Sequence, residues 1–571
     1  MSNHRFRTPL RWMAPVVAST VLIGVGVSTA AQAYTAATTY SPVTTLAVNA
    51  LGSSSEYVSC SKPGECAMAG IASDSNASYA IVSLQLDGVW STASQLEFPT
   101  TIAGGSPASF PEDVSCSAPG DCVVVGYYID AAGGGAFIET STSGIWNTAQ
   151  PVAIANESQF SITYATLNGV SCPKTGNCTA VGEYTNSNNR SEAMTVQSVH
   201  GVWGEAIPTS LDAEIANPAN SEFVAVDCPS VGDCAAVGQF GVANEPVRAL
   251  VATSTNGTWS RAEPVDTSSL VSLTPHSYLT SVSCPHVGDC TATGFYQDLG
   301  GYQPMIESST DNKWTSAKTA SLLDYLHTDQ QFAPAADVSC AAIGTCVVAG
   351  TYQAQYSNQA FTWIEIGGKW RKSIATTTRF THLPPTILNE YFSVSCPVVS
   401  YCVAAGSFDT YQASGAMTDV LTIAGGVATW ADAVPATLAT TGAAFSDISC
   451  AAMGNCTTVG TASIGGASSL TAMQSLSTTY RRPGAPTNVM ASTIRGRSAV
   501  ISWRAPSNNG GAPITSYLVI ASPGGAHCTT NRALKCTLVG LNFRSSYSVK
   551  VIAANAIYSG SPSKRLRVKT A

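Results

Sequence analysis

VDCPSVGDCAAVG, residues 226–238, is the stretch from which the fold can be read. Two cysteines, Cys228 and Cys234, flank a Pro-Ser-Val-Gly-Asp turn, and small apolar residues lead from it to a second glycine. A β-type run, a turn whose glycine needs positive φ and a second β-type run make a hairpin. The same unit recurs as VSCSKPGECAMAG (58–70), VSCSAPGDCVVVG (114–126), VSCPKTGNCTAVG (170–182), VSCPHVGDCTATG (282–294), VSCAAIGTCVVAG (338–350), VSCPVVSYCVAAG (394–406) and ISCAAMGNCTTVG (448–460). Only the seventh copy, with Ser400, lacks the turn glycine. Successive first cysteines lie 56 residues apart, with a last step of 54. Self-similarity at such a period signals a solenoid, a propeller or an array.

Each unit holds four β-type runs, which in the fourth are FVAVDC, CAAVGQF, VRALVATS and TWSRAEPV. Four antiparallel strands per unit are the content of a propeller blade. The expected fold is therefore all-β, an eight-bladed β-propeller over residues 34–480 with terminal-strand closure. A tryptophan strand follows only seven hairpins, at Trp90, Trp146, Trp203, Trp259, Trp314, Trp370 and Trp430. The eighth unit lacks one, and YSPVTTLAV, from Tyr40 to Val48, is a strand without its own unit. These residues are expected to pair into the last unit.

The order V-S-C, G-x-C-x-A-V-G, A-x-I-x-x-S and G-x-W resembles the Asp-box (BNR-type, sialidase-like) repeat over residues 34 to about 480. That family's box is S-x-D-x-G-x-x-W, whereas this chain has the shorter Ser141-Thr-Ser-Gly-Ile-Trp146 and Ser254-Thr-Asn-Gly-Thr-Trp259. The resemblance implies an architecture. In that family the box is a structural turn, so it implies no catalytic site.

All 18 cysteines have a local partner. Structural zinc prefers closer spacing with four convergent ligands, and no histidine accompanies these pairs. Export into an oxidising space favours disulfides. The expected bonds are Cys60–Cys66, Cys116–Cys122, Cys172–Cys178, Cys228–Cys234, Cys284–Cys290, Cys340–Cys346, Cys396–Cys402, Cys450–Cys456 and Cys528–Cys536. Neither a metal nor any other cofactor is expected.

Export is read from the first 33 residues. Arg5, Arg7 and Arg11 precede an apolar run from Met13 to Val27 and the small-residue site Ala31-Gln32-Ala33. This is the pattern of a secretory leader, expected to be cleaved before Tyr34. The apolar run is shorter than the roughly 20 residues a spanning helix needs, so no membrane span is expected after its removal.

Charge divides the remainder. Residues 34–480 hold all 35 Asp and Glu against eleven Lys and Arg, while residues 481–571 hold thirteen Lys and Arg and no acid. The acidic part argues against nucleic acid as a partner.

The last segment opens with PGAPTNV and continues through SAVISW with Trp503, ITSYLVI with Tyr517 and SSYSVKVIAANAIYSGSPS. It resembles a fibronectin type III domain over residues 483–571. The resemblance implies a buried core Trp503 and a tyrosine corner at Tyr547. Such modules accompany secreted bacterial enzymes that degrade polysaccharides, which is an analogy of fold only. Its positive charge suits an anionic cell-envelope polymer, a solvated face or docking onto the acidic repeats.

Chemistry is harder to find. No G-x-S-x-G, H-E-x-x-H or P-loop occurs. Aromatic residues recur two positions after the hairpin's second glycine, at Tyr128, Tyr184, Phe240, Tyr296, Tyr352 and Phe408. They would either stack on sugar faces or fill one packing slot in each unit. The polar loops after them offer Asn188, Arg190, Asp298 and Gln355 as ligand contacts. The expected function is a monomeric secreted binding or scaffold protein, extracellular or held at the cell surface, directed toward polysaccharide or other envelope components. The alternative is a secreted glycoside hydrolase or lyase acting on polysaccharide, with catalytic residues unknown.

Overall fold

The computed structural model describes residues 38–570 with interruptions, the longest being 320–330 and 376–387. The expected leader and Gln355 lie outside the described residues. Every described regular element is a strand. Among the described residues no helix is long and apolar enough to cross a membrane.

Each of the eight units forms the hairpin its sequence asks for. In the fourth, Pro218–Ser230 pairs with Asp233–Val242, which pairs with Arg248–Thr255, and Thr258–Trp259 completes the edge. The turn glycines Gly64, Gly120, Gly176, Gly232, Gly288, Gly344 and Gly454 have φ between 69° and 80°, as their recurrence predicts. In six units the carbonyl of this glycine accepts an N–H from the turn before the tryptophan strand, as Gly232 does from Gly257 at 2.8 Å. The two turns thereby brace each other. The serine of A-x-I-x-x-S joins them: Ser254 Oγ accepts the Cys234 N–H at 3.2 Å and donates to the Gly232 carbonyl at 2.7 Å.

The expected eight-bladed β-propeller is corrected by the sheet topology. The described strands form separate open sheets, none of them closed on itself, and the third and fourth units share one ten-stranded sheet through the bridge Ser191–Asn220. The described chain is all-β with separate sheets. The physical reason is that the units meet mainly through side chains, and where two ladders do join, at Ser191 and Asn220, they lengthen one open sheet and close none.

Those meetings explain the V-S-C signature. The serine before each first cysteine accepts the N–H of the next unit's first cysteine, as Ser59 does from Cys116, Ser115 from Cys172 and Ser171 from Cys228, each at 3.0 Å. Asp227 takes the serine's place toward Cys284 at 2.7 Å. Ser283, Ser339 and Ser395 continue the series to Cys340, Cys396 and Cys450. Ser449 of the eighth unit accepts from Cys60 of the first at 3.0 Å. Asp113, Asp337 and Asp447 add a second bond of the same kind, to the N–H groups of Val170, Val394 and Val58, each at 2.8 Å. Two short strands pair with the last strand of the eighth unit, Thr38–Tyr40 opposite Leu476–Thr478 and Thr44–Thr45 opposite Ala472–Met473.

The core lies between neighbouring sheets. Val125, Ile138, Leu167, Tyr184 and Met194 form one buried cluster spanning the second and third units, sealed by Trp203. Val58, Met68 and Ile81 of the first unit share another with Val459 of the eighth.

All nine expected disulfides are formed, and no described cysteine is free. Each of the first eight closes a hairpin loop with a sequence separation of six. Closing a loop of about seven residues is worth roughly 2.4 kcal/mol in the chain-entropy treatment. The double replacement Cys116→Ala, Cys122→Ala is therefore expected to cost about 2 kcal/mol, read from the urea midpoint. An unmoved midpoint would show that the hairpin needs no staple.

The C-terminal module has the predicted β-sandwich content. Thr487–Arg495, Ser498–Arg504 and Lys535–Leu538 form one sheet, and Ile514–Ser522 and Ser546–Asn555 centre the other. Trp503 is buried with its ring 5.3 Å from that of Tyr517. The Tyr547 hydroxyl accepts the Asn542 N–H at 2.7 Å, which is the tyrosine corner.

Candidate functional site

The first strand of each unit carries a β-bulge opposite the second glycine of the hairpin, as between Phe223 and Ala225 opposite Gly238. A bulge admits an extra residue and re-aims the side chains around it. In the first two units the bulge residues are Glu56 and Glu112. The position just after the bulge glycine holds Tyr127, Glu183, Gln239 and Phe295 in the second to fifth units. All six side chains are half-buried rather than enclosed.

These residues join into an arc across five units. The Tyr57 hydroxyl donates to Glu112 Oε2 at 3.4 Å, linking the first unit to the second. Phe110 stacks on Tyr127 at 4.9 Å, and Tyr127 meets Tyr164 of the third unit edge-on at 5.6 Å. Glu183 lies close enough to Glu222 of the fourth unit to be repelled by it, and Gln239 Nε2 donates to Glu222 Oε1. In the fifth unit Tyr278, Phe295 and Tyr302 continue the rings, with centroids 4.8 and 5.3 Å apart. The corresponding positions of the sixth to eighth units, Thr351, Ser407 and Thr461, bear no ring.

Among the described residues no cation forms an ion pair with the acids of the arc. Loss of water pushes Glu183 up to about 7, with Glu222 adding repulsion. Burial raises Glu56 and Glu112, and the charge of Glu56 raises Glu112 further. Burial first, then Tyr127 and nearby carboxylates, pushes the Tyr164 phenol up to about 12. The ion pairs formed among the described residues, Arg190–Glu192 and His286–Asp289, lie outside the arc. Half-buried aromatic faces beside carboxylates attract a cation, best a planar guanidinium that can stack and donate at once.

The residues singled out from sequence fall elsewhere. Tyr184 and Tyr296 are buried, with the Tyr184 hydroxyl donating to Glu192 at 2.8 Å. Phe240 and Phe408 are also buried, while Tyr128 and Tyr352 pack half-buried against inter-sheet clusters. Asn188 is exposed in a tight turn in which Asn186 Oδ1 accepts the Asn188 and Arg190 N–H groups. Asp298 ends a strand opposite Gly301. The structure does not gather these residues at one place. Sequence reading missed the arc because it follows the neighbouring position, where residue type varies from unit to unit.

An open groove of about 760 Å³ runs between the outer edges of the second and third units, past Gln150, Trp203 and Glu205. It gathers one titratable group. Among the described residues no group of three or more His, Cys, Asp and Glu is placed to hold a metal ion.

Comparison with known proteins identifies the C-terminal module. The fibronectin type III domain family matches residues 484–569. A titin homolog of Caenorhabditis elegans is 38% identical over 84 residues, which cover 14% of this chain and 0% of that protein's length. Among solved structures, the FN5 domain of Drosophila Lar is 25% identical, with 15% of this chain and 96% of that chain covered and a TM-score of 0.14. A structure of titin kinase and its flanking domains is 26% identical, with 16% of this chain and 17% of that chain covered and a TM-score of 0.14. The chain thus spans only a small part of the titin-type proteins it matches. These matches give the Asp-box resemblance no support. They correct the functional expectation as well: the matches are to the fibronectin type III family and a titin homolog, and neither is a carbohydrate-directed propeller or a glycoside hydrolase.

Proposed function

We propose that this is an exported scaffold protein, in which disulfide-stapled sheets hold a fibronectin type III module as a charged contact unit. The observation that carries the reading is the module's composition: thirteen Lys and Arg and no Asp or Glu in residues 481–571, on a domain matched to fibronectin type III. Arg495, Arg497, Arg504, Lys535, Arg544 and Lys564 are exposed. With no carboxylate of its own, the module attracts anionic surfaces in a salt-dependent way. Placement outside the cell is supported by the leader pattern and by nine disulfides, which persist in oxidising compartments.

The test is retention on poly-L-glutamate beads. The full mature chain should bind at low ionic strength and elute with added salt, and Arg565→Gln, Arg567→Gln, Lys569→Gln should elute earlier. Retention that ignores both salt and these substitutions would remove the contact role.

A further inference from the structure

We infer that the acid–aromatic arc of one molecule receives the basic face of the fibronectin type III module of a second copy, so that chains associate head to tail. The inference rests on the reading of the module as a charged contact unit and names its partner.

The two surfaces complement each other in charge and in chemistry. The module's strand Leu566–Lys569 pairs with Ser546–Asn555, with Ser548 opposite Arg567 and Ser546 opposite Lys569. Val568 between them is buried, so alternation along the strand turns Arg567 and Lys569 outward, and both are exposed. Lys550, two residues beyond Ser548 on the same face, extends a basic stripe along the sheet. The arc offers what such a stripe lacks. Glu56, Glu112, Glu183 and Glu222 stand on its first four units, and none is held in an ion pair among the described residues. Phe110, Tyr127 and Tyr164 supply ring faces beside them. A guanidinium entering there stacks and forms charge-assisted hydrogen bonds together, and it relieves the repulsion between crowded carboxylates. Within this chain the excess positive charge is concentrated in the module, since residues 34–480 carry 35 acids and eleven bases.

Chain geometry selects a second copy over the molecule's own module. The last strand before the module, Leu470–Thr478, starts opposite Ala462 and ends with Ser477 opposite Asn455, beside the hairpin turn of the eighth unit. The arc lies toward the other end of the strands: Glu183 is six residues beyond Asn177 at its own hairpin turn, about 20 Å along a strand. Residues 479–483 join that last strand to the module, and a five-residue link spans at most about 17 Å. The module is thus tethered through a short link to the end of the strands remote from the arc, a tether that a second copy's module does not have to this molecule. Contact between different patches on two copies is heterologous and propagates.

The test is sedimentation velocity of the full mature chain at low and high salt. The expected result is concentration-dependent association at low ionic strength that dissociates in 1 M sodium chloride, where the Debye length is about 3 Å. Two variants each keep one surface: Glu56→Gln, Glu112→Gln, Glu183→Gln, Glu222→Gln and, separately, Arg565→Gln, Arg567→Gln, Lys569→Gln. Each alone should remain a monomer, and an equimolar mixture should form capped pairs that do not grow. A monomeric parent at low salt, self-association of the arc variant, or a mixture that stays monomeric would each overturn the inference. If the parent is monomeric yet binds poly-L-glutamate as expected, the partner is wrong and the contact role stands; if neither occurs, both fail.

Discussion

Gly238→Ala is expected to lower the thermal midpoint by roughly 10 °C, the mark of a substitution costing about 4 kcal/mol or more. Gly238 lies within a strand, not in a turn, so its backbone angles are not the reason. A methyl group there would fall on the carbonyl oxygen of Glu222 and stand 2.9 Å from the Phe223 Cα atom, both parts of the bulged first strand. Backbone cannot rotate aside as a side-chain tip can, and relieving the clash means opening the bulge and the seam behind it. Gly70, Gly126, Gly182, Gly294, Gly406 and Gly460 repeat the arrangement against the corresponding carbonyls. Gly257→Ala is the control. It has φ of 81°, and the nearest atom to an added methyl is Gln197 Oε1 at 3.4 Å, so only the left-handed backbone resists, at about 1 kcal/mol. Thermal unfolding followed by circular dichroism compares the two. Equal midpoints would show that the close approach at Gly238 is not what fixes the bulge.

The strand glycine recurs in all eight copies and the hairpin-turn glycine, Gly232 in the fourth, in seven, and the turn glycine was legible in the sequence with its reason, since a turn is a local matter. The strand glycine was legible only as a recurrence. Its reason is a carbonyl sixteen residues earlier, brought close by a bulge that no local pattern announces. The V-S-C serine is similar: its partner is the cysteine N–H 57 residues ahead, in the next unit. A reader of one unit sees a small polar residue; only neighbouring units show an acceptor.

The arc illustrates a narrower failure. Side chains alternate across a strand, so a one-residue step exchanges the covered face for the open one. The recurring aromatics Tyr184, Phe240 and Tyr296 attracted notice because they recur, and recurrence reflects a packing slot common to every unit. Tyr127, Glu183, Gln239 and Phe295 stand one residue earlier and differ from unit to unit. Variation at a fixed position on a repeated frame is the available signal for a binding surface, because packing there imposes no common size. Separate sheets in place of the expected closed fold have an analogous origin. Four strands per unit are a local property, whereas the joining of the third and fourth units through Ser191 and Asn220 depends on how two units happen to approach.

Stability should be highest in mild acid and fall as the pH rises from about 5 to about 9. Glu139 and Glu307 occupy the same position on the third strands of the second and fifth units, and each is only 2% exposed. Burial, reinforced by Glu97, holds Glu139 up at about 8; burial, reinforced by Glu263 and Asp266, holds Glu307 at about 9. Asp113 at about 7 and Asp227 and Asp447 at about 6 are raised by burial against the backbone N–H groups they accept. In every case the folded-state value lies above that of the unfolded chain. Between the two values the native protein binds more protons than the unfolded one, so the stability gained from protonation is complete below about 4 and is lost as the pH passes through each folded value. Glu307→Gln separates this account from a general charge effect. The amide cannot ionise, so the variant should exceed the parent in stability at pH 8 by about 2 kcal/mol and show a shallower decline from pH 6 to 9. Urea midpoints of the two proteins across that range provide the measurement. Parallel curves would mean that Glu307 stays ionised in the folded chain, with a counter-charge or water that offsets its burial.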